Sequence, residues 1–592
     1  MVRRRVHTKN FEPIVRNGKT LLSGVDPVRR GERTADAVSV RNRTLYLCPS
    51  PLYGFGLDRL LERLETEAPG STILCLEADP QLHELSLKNI PASLACDKKF
   101  CLTNICDAAS LYMFIRKTWG VRAFQRVEVI RFTGGWQLFP ELYDSLCEAL
   151  RREIAAEWSN ALTLTKLGRL YIRNALRNLT LIPHLPSITN LSFGEAPVLV
   201  LGAGPSLDET LDFFDSRFSQ MLCCRESRPF KIICVDTCLG TLKDRGIVPD
   251  LVVILESQHW NLRDFTGCRG WEVNFAMDLS AVPASAQMLG GEGFLFMTPW
   301  TNLRIFERLK AALLLPAVIP PLGSVGLTAV ELARRLTCGN IFCAGLDFSF
   351  TADKYHSRSA PGHRSRFNMQ SRFCGVINSS VYDAANFSAV SKSGNSVRSS
   401  PVMRHYRELF EQEFSADPRL FDITGSGLPL GLKTFSMDEL AKILSEVFHA
   451  KMPKHQDAGQ RVKCGEQGVR EKLLGFVEVE KNRLLALRAI LAGETGAELS
   501  RLAGLVDECD YLWGHFPDYA GGGSQPALTD VSFLKRLRME IDPALACFPK
   551  TPAREKRKES REPPRPDANH RCGNFRKFRQ FSGVIDKQTG HF

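Results

Sequence analysis

Gly202-Ala203-Gly204-Pro205-Ser206-Leu207 follows the apolar run Val198-Leu199-Val200-Leu201 and carries the chemistry of an anion site. The run reads as a buried parallel strand. Gly202 and Gly204 let backbone come close to a ligand. Pro205, with its fixed φ and no N–H, suits the first turn of a helix. Ser206 and Leu207 would then offer free N–H groups at the positive end of that helix, so a phosphate is the expected guest. Four more polar groups stand at similar places along the chain: Asp236-Thr237, Glu256-Ser257-Gln258, the glycine turn Gly323-Ser324-Val325, and Asp347 followed by Asp353-Lys354-Tyr355-His356. Each alone suits a turn or a cap. Together they fit one ligand if a single sheet edge gathers them.

Such a sheet is what the intervening residues predict. Strands are expected at 198–201, 231–235, 251–255, 272–276, 294–297 and 341–344, with helical patterns between several of them, including 303–312 and 327–336. This alternation implies an α/β fold with a doubly wound, mainly parallel, Rossmann-like central domain at 195–400. Ligands of such sheets bind beyond the carboxyl ends of the strands. An α/β N-terminal domain is expected at 44–190. Strands at 44–48 and 71–76 there surround the turn Gly54-Phe55-Gly56, and Glu77-Ala78-Asp79 follows the second strand. A glycine turn and a later acid are how a Rossmann unit meets a ribose. Only two glycines of that fingerprint remain, so a scaffold is the favoured reading. Residues 401–548 read as a helical C-terminal domain, with apolar residues at helical spacing over 408–414, 437–448, 469–491 and 533–541.

The net charge of +12 sits at the ends. Residues 1–33, within the basic N-terminal segment 1–43, hold nine Lys/Arg and three Asp/Glu, and residues 550–592 hold twelve and five. The body between is close to neutral. The segment 549–592 reads as a solvated, disordered tail, and nucleic acid is not an expected partner. Eighteen cysteines include no CxxC pair, so neither zinc nor a disulfide framework is expected and a reducing compartment is. Without an apolar leader or a span-length apolar run, the chain is expected to be soluble and cytoplasmic.

The order Gly-Ala-Gly-Pro-Ser-Leu, Val-Asp-Thr, Gly-Ile-Val-Pro-Asp, Gly-Ser-Val and Gly-Leu-Asp-Phe-Ser-Phe-Thr with a nearby His resembles the motility accessory factor (Maf) glycosyltransferases, over about residues 44–450. The resemblance implies transfer of a nonulosonic acid from a CMP-activated donor to Ser/Thr of flagellin, and is compatible with a homo-oligomer. The central domain also resembles bacterial sialyltransferases. By this resemblance, Gly202, Ala203, Gly204, Pro205, Ser206, Leu207, Asp236, Thr237, Glu256, Gln258, Gly323, Ser324 and Val325 would bind the donor. His356 would be the general base for the acceptor hydroxyl, with His363 the alternative, and Asp347 would orient the base or bind the sugar. No resident cofactor or metal is implied. The archaeal 6-hydroxymethyl-dihydropterin diphosphokinases share the central fold, but their Asp-Leu-Asp-Gly run, suited to Mg²⁺ and ATP, is Leu255-Glu256-Ser257-Gln258 here. The alternatives are therefore such an ATP enzyme, or a non-catalytic flagellin-binding scaffold.

Overall fold

The computed structural model describes residues 12–549 apart from 224, 226–227, 352–353, 374–378, 424, 450–465, 494–498 and 520–525. The basic tail lies outside the described residues.

The chain opens with an antiparallel hairpin, β1 (Ile14–Arg16) and β2 (Lys19–Leu22), and helix α1 (Pro27–Ala37), whose first turn is capped by Asp26 accepting from the N–H of Arg29. A four-stranded parallel sheet follows, built from β3 (Thr44–Pro49), β4 (Thr72–Leu76), β5 (Phe100–Thr103) and β6 (Arg126–Val129) in the order β5-β4-β3-β6. Its crossovers carry α2 (Leu57–Glu67), α3 (Pro80–Asn89), the short α4 (Ala92–Ala95) and α5 (Ala108–Thr118). All six residues of β3 are buried, as expected of a central parallel strand covered on both faces.

The glycine turn after β3 is used internally. A Cβ on Gly31 of α1 would stand 2.3 Å from the Phe55 carbonyl oxygen, and one on Gly56 would stand 2.3 Å from Gly31 backbone. The turn therefore docks α1 backbone to backbone. Glu77, after β4, is 1% exposed and accepts from Ser50 Oγ at 2.6 Å, and burial pushes its carboxyl up to about 7.

Helix α6 (Pro140–Asn178) then runs 39 residues to a second sheet. That sheet has nine parallel strands in the order β12-β11-β10-β9-β8-β7-β13-β16-β17. They are β7 (Val198–Leu201), β8 (Lys231–Val235), β9 (Leu251–Ile254), β10 (Phe275–Asp278), β11 (Gly293–Met297), β12 (Ala317–Val318), β13 (Ile341–Ala344), β16 (Leu420–Ile423) and β17 (Lys433–Phe435). The layers against it include α7 (Ser206–Cys223), α8 (Leu239–Asp244), α9 (Arg304–Ala311), α10 (Val325–Leu336), α11 (Pro361–Asn368), α12 (Pro401–Phe414) and α13 (Met437–His449). A small hairpin, β14 (Phe387–Val390) and β15 (Ser396–Ser399), precedes α12. Helices α14 (Glu466–Leu491), α15 (Leu499–Glu508) and α16 (Val531–Leu545) share a second core with α6 and α9.

The mixed α/β architecture and the doubly wound parallel sheet agree with the sequence reading. Two local expectations do not hold. The strand expected at 272–276 begins at Phe275 and ends in Asp278, because Trp271 bridges Leu289 outside the ladder instead. The stretch read as helical from about 400 also supplies β16 and β17. Asp422 interrupts the apolar run of β16, and its carboxylate is neutralised by the buried ammonium of Lys392 at 2.6 Å. Among the described residues no helix is long and apolar enough to cross a membrane.

Candidate functional site

A cavity of about 570 Å³ lies beyond the carboxyl ends of β8 to β11. Its size is that of a small-molecule site. Of the donor-binding residues expected from sequence, Asp236, Thr237, Glu256, Gln258, Gly323 and Val325 line it. They reach it from the ends of β8 and β9 and from the start of α10. Gly323 holds φ +70°, the left-handed conformation that turns the chain into that helix. Ser324 caps the helix by accepting from the N–H of Gly326.

The floor is a buried acid pair. Asp236 Oδ2 accepts from Asn261 Nδ2 at 2.8 Å, and Asp236 Oδ1 accepts from the N–H of Thr237 at 2.8 Å. Thr237 Oγ1 stands 3.3 Å from Asp236 Oδ1 and 3.2 Å from Asp264 Oδ2. A hydroxyl has one proton to donate, so it satisfies both contacts only when one carboxyl is itself protonated. Burial, reinforced by the charge of Asp264, raises Asp236 to about 7, and burial raises Asp264 as well. Asp264 Oδ1 and Asn261 Oδ1 are buried without a hydrogen-bond partner, which leaves acceptor capacity at the cavity floor.

The cavity also has aromatic lining, Tyr171 from α6, Trp300 from the segment after β11 and Trp260 from the segment after β9. Tyr171 meets Trp300 with ring centroids 5.1 Å apart. Two asparagines latch α6 onto the sheet. Asn174 Nδ2 donates to the carbonyls of Ser257 and Ser280 at 2.9 and 3.0 Å. Asn178 Nδ2 donates to those of Leu279 and Ala281 at 2.9 and 2.8 Å. The strand ends and Tyr171 are thereby held in one frame.

The first glycine turn is not an open cradle. Gly202 N–H donates to the Ala344 carbonyl, Gly204 N–H to that of Gly345 at 2.8 Å, and Leu207 N–H to that of Gly204 at 3.0 Å. Ser206 N–H donates to Asp347 Oδ2 at 2.7 Å, and its hydroxyl donates to Asp347 Oδ1. The free donors expected at Ser206 and Leu207 are therefore engaged, and Ala203, Pro205, Ser206 and Leu207 are buried. A Cβ on Gly204 would lie 2.6 Å from Asp347 Cγ, and one on Gly202 would lie 2.4 Å from the Gly345 carbonyl oxygen. These glycines interlock the ends of β7 and β13, and Asp347 sits where an anion was expected. Burial pushes the Asp347 carboxyl up while the Ser206 bonds pull it down.

Asp347 and Gly202–Leu207 thus form a buried junction beside the cavity and do not line it. His356 follows in a segment seated on this junction, where Ser357 N–H donates to the Ala203 carbonyl at 2.9 Å. His363 lies on α11, whose Gly362 backs onto Arg263: a Cβ there would stand 3.3 Å from Arg263 Nη2, and Arg263 lines the cavity. Asp250 of the Gly-Ile-Val-Pro-Asp run lies at the amino end of β9, paired with the fully buried Arg228 and accepting from the N–H of Ile232 at 2.8 Å. That motif serves the fold.

Sequence reasoning missed Asp264, Asn261, Trp260, Tyr171, Trp300 and Thr298. Thr298 was within reach of the strand-end rule, since it directly follows β11. So was Asp278, whose carboxylate takes the N–H and hydroxyl of both Ser280 and Thr298 at 2.5–2.7 Å and ties the ends of β10 and β11.

The fold is that of an α/β protein with a cavity at the carboxyl edge of a doubly wound sheet. Residues 171–353 match the family model described as 6-hydroxymethylpterin diphosphokinase MptE-like. An uncharacterized protein of Treponema pallidum (strain Nichols) is 28% identical over 567 residues, covering 93% of this chain and 96% of that protein. The structure of a MAf glycosyltransferase from Magnetospirillum magneticum AMB-1 aligns with 91% of this chain and 84% of its own at 15% identity, with a TM-score of 0.45.

Proposed function

We propose that this chain is a glycosyltransferase that moves a nonulosonic, sialic-acid-like sugar from a CMP-activated donor to Ser or Thr of flagellin, in the cytoplasm. The observation that carries this reading is the cavity of about 570 Å³ that joins an aromatic lining, an acidic floor and the start of α10. The cytosine would stack against Tyr171 and Trp300. The phosphate would face Arg263 and the turn Gly323–Val325, where a helix end contributes ~0.3–1 kcal/mol toward the charge that grows as the glycosidic bond breaks. Asp236, Thr237, Glu256 and Gln258 would hold ribose and sugar hydroxyls. Asp236 near its midpoint at neutral pH would sit beside an anionic donor at less cost than a fixed carboxylate. The acceptor hydroxyl would attack the anomeric carbon and pass its proton to His356 or, from α11, His363, a positioned base being worth roughly 10²–10⁴ in rate. Gly202–Leu207 and Asp347 would act by fixing the strand junction under that segment.

A second reading has its own support. Asp236, Glu256 and Asp264 all line the cavity, and carboxylates beside a phosphate suit Mg²⁺, although among the described residues no three acidic, His or Cys groups are placed to hold a metal ion by themselves. A diphosphokinase taking ATP would use them so. Melting the full-length protein with CMP and, separately, with ATP–Mg²⁺ divides the two. CMP alone is expected to raise the melting temperature. Preferential stabilisation by ATP–Mg²⁺ would give the cavity to the diphosphokinase. Intact-mass analysis of flagellin from cells with and without the gene tests the acceptor. The sugar's mass should be missing without it, and an unchanged mass would remove flagellin from the reading.

A further inference from the structure

We infer that the N-terminal sheet holds a second ligand site, for a small phosphate monoester. In the order β5-β4-β3-β6, the chain starts at β3, proceeds outward to β5 and then crosses back to place β6 on the other side of β3. The boundary between β3 and β6 is therefore the topological switch point, and crevices for ligands open there beyond the carboxyl ends of the strands. A cavity of about 400 Å³ lies at that boundary. Phe55, from the turn after β3, and Arg131, Thr133 and Trp136, from the segment after β6, line it together with Arg30 and Thr34 of α1.

The two sheets differ at their switch points. Between β7 and β13 of the large sheet, Asp347 fills the junction and takes the Ser206 donors. Between β3 and β6, Thr133 Oγ1 donates to the Ser50 carbonyl at 2.6 Å, and outside this contact a cavity remains, bounded by β2, α1 and the segment after β6.

The lining selects an anion. Among the described residues that line this cavity there is no Asp or Glu, while Arg30, Arg131 and the hydroxyl residues Thr20, Ser23, Thr34 and Thr133 are present, the hydroxyl protons of Thr34 and Thr133 going to the carbonyls of Arg30 and Ser50. Arg131 stacks on the Trp136 ring with its guanidinium carbon 4.0 Å from the centroid, which fixes the plane of a fork suited to phosphate oxygens. Its exposed partner Asp144, at 3.3 Å, is a weak competitor because water screens the pair. Phe55 and Trp136 supply an apolar side for the carbon skeleton of an ester. The loop leaving β3 holds positive φ at two non-glycine residues, 48° at Ser50 and 52° at Leu52, a strain of the kind kept at ligand-binding turns.

Calorimetric titration of the full-length protein with ribose 5-phosphate, and in parallel with inorganic phosphate, tests the site. One equivalent of ribose 5-phosphate should bind, and Arg30→Gln combined with Arg131→Gln should weaken it at least tenfold. Arg30→Gln alone, at an exposed position, should weaken it about threefold and keeps the test readable if the double variant unfolds. Tyr171→Ala, in the other cavity, should leave this binding unchanged. Absence of binding, wild-type affinity in both arginine variants, or loss of binding in Tyr171→Ala would overturn the site. Equal affinity for inorganic phosphate would overturn the monoester.

Discussion

Asp236 shows how a single buried group links the cavity to pH. Burial and the neighbouring Asp264 raise its carboxyl to about 7, from an ordinary 3.8. Between about pH 4 and pH 7 the folded chain therefore keeps a proton that the unfolded chain has released. The unfolded state binds fewer protons there, so this group's contribution to stability is complete at the acid end and is lost as pH rises toward 7. Asp236→Asn removes that titration. Relative to wild type, the variant should be more favourable at about pH 8 than at about pH 5, as read by urea unfolding of both proteins at each pH. Glu77 titrates in the same direction, raised by burial to about 7, but it is present in both proteins and drops out of the difference. An identical gap at the two pH values would mean that Asp236 titrates like an exposed carboxylate and that the proton shared around Thr237 does not exist.

Helix α6 is the element on which the cavity depends, because Asn174 and Asn178 join it to strand ends through four carbonyls. Asn178→Asp turns a donor into a carboxylate facing the carbonyls of Leu279 and Ala281. Leaving a buried acceptor unsatisfied costs ~1–3 kcal/mol, so two should cost about 2–6 kcal/mol. Urea unfolding should show that loss, and CMP affinity should fall with it as Tyr171 moves. Full stability in the variant would mean the latch is incidental. None of this latch was legible beforehand, since its partners lie 83 to 106 residues apart in sequence. The strands 198–201, 231–235 and 341–344 were legible residue for residue, because a strand buried on both faces is a continuous apolar run. β16 was not, because Asp422 breaks the run and its neutralising Lys392 comes from a loop 30 residues away. The turn at Gly202–Leu207 was read as an open phosphate cradle because nothing local reveals that Asp347, 141 residues later, occupies it. Asp236, Thr237, Glu256 and Gln258 were placed at this sheet edge by strand-end position, and Gly323 and Val325 by a glycine turn that opens a helix; all six line the cavity.

At the scale of the whole chain, the C-terminal helices act as the backing of the cavity wall. Ile172, Ala175 and Leu176 of α6, and Leu179 just past its end, share one core with Leu473, Val477, Leu484 and Leu487 of α14 and with Phe533, Leu537 and Ile541 of α16. The inner face of α6 thus carries the cavity and its outer face carries this core. One ion-pair group pins the layers together. Glu480 of α14, 1% exposed, accepts from Arg308 of α9 at 2.6 and 2.9 Å and from Arg483 at 2.5 Å. Removing one member of a buried pair costs about 3–5 kcal/mol, and the lower end applies here because both guanidinium groups still reach solvent. Glu480→Ala should therefore destabilise the full-length protein by about 3 kcal/mol in urea. If the helices hold α6 in place, the same variant should also bind CMP more weakly at a temperature where it remains folded by circular dichroism, although Glu480 lines no part of the cavity. A destabilised protein with unchanged CMP affinity would show that the Asn174–Asn178 latch alone positions the wall, and that the C-terminal helices contribute stability without shaping the site.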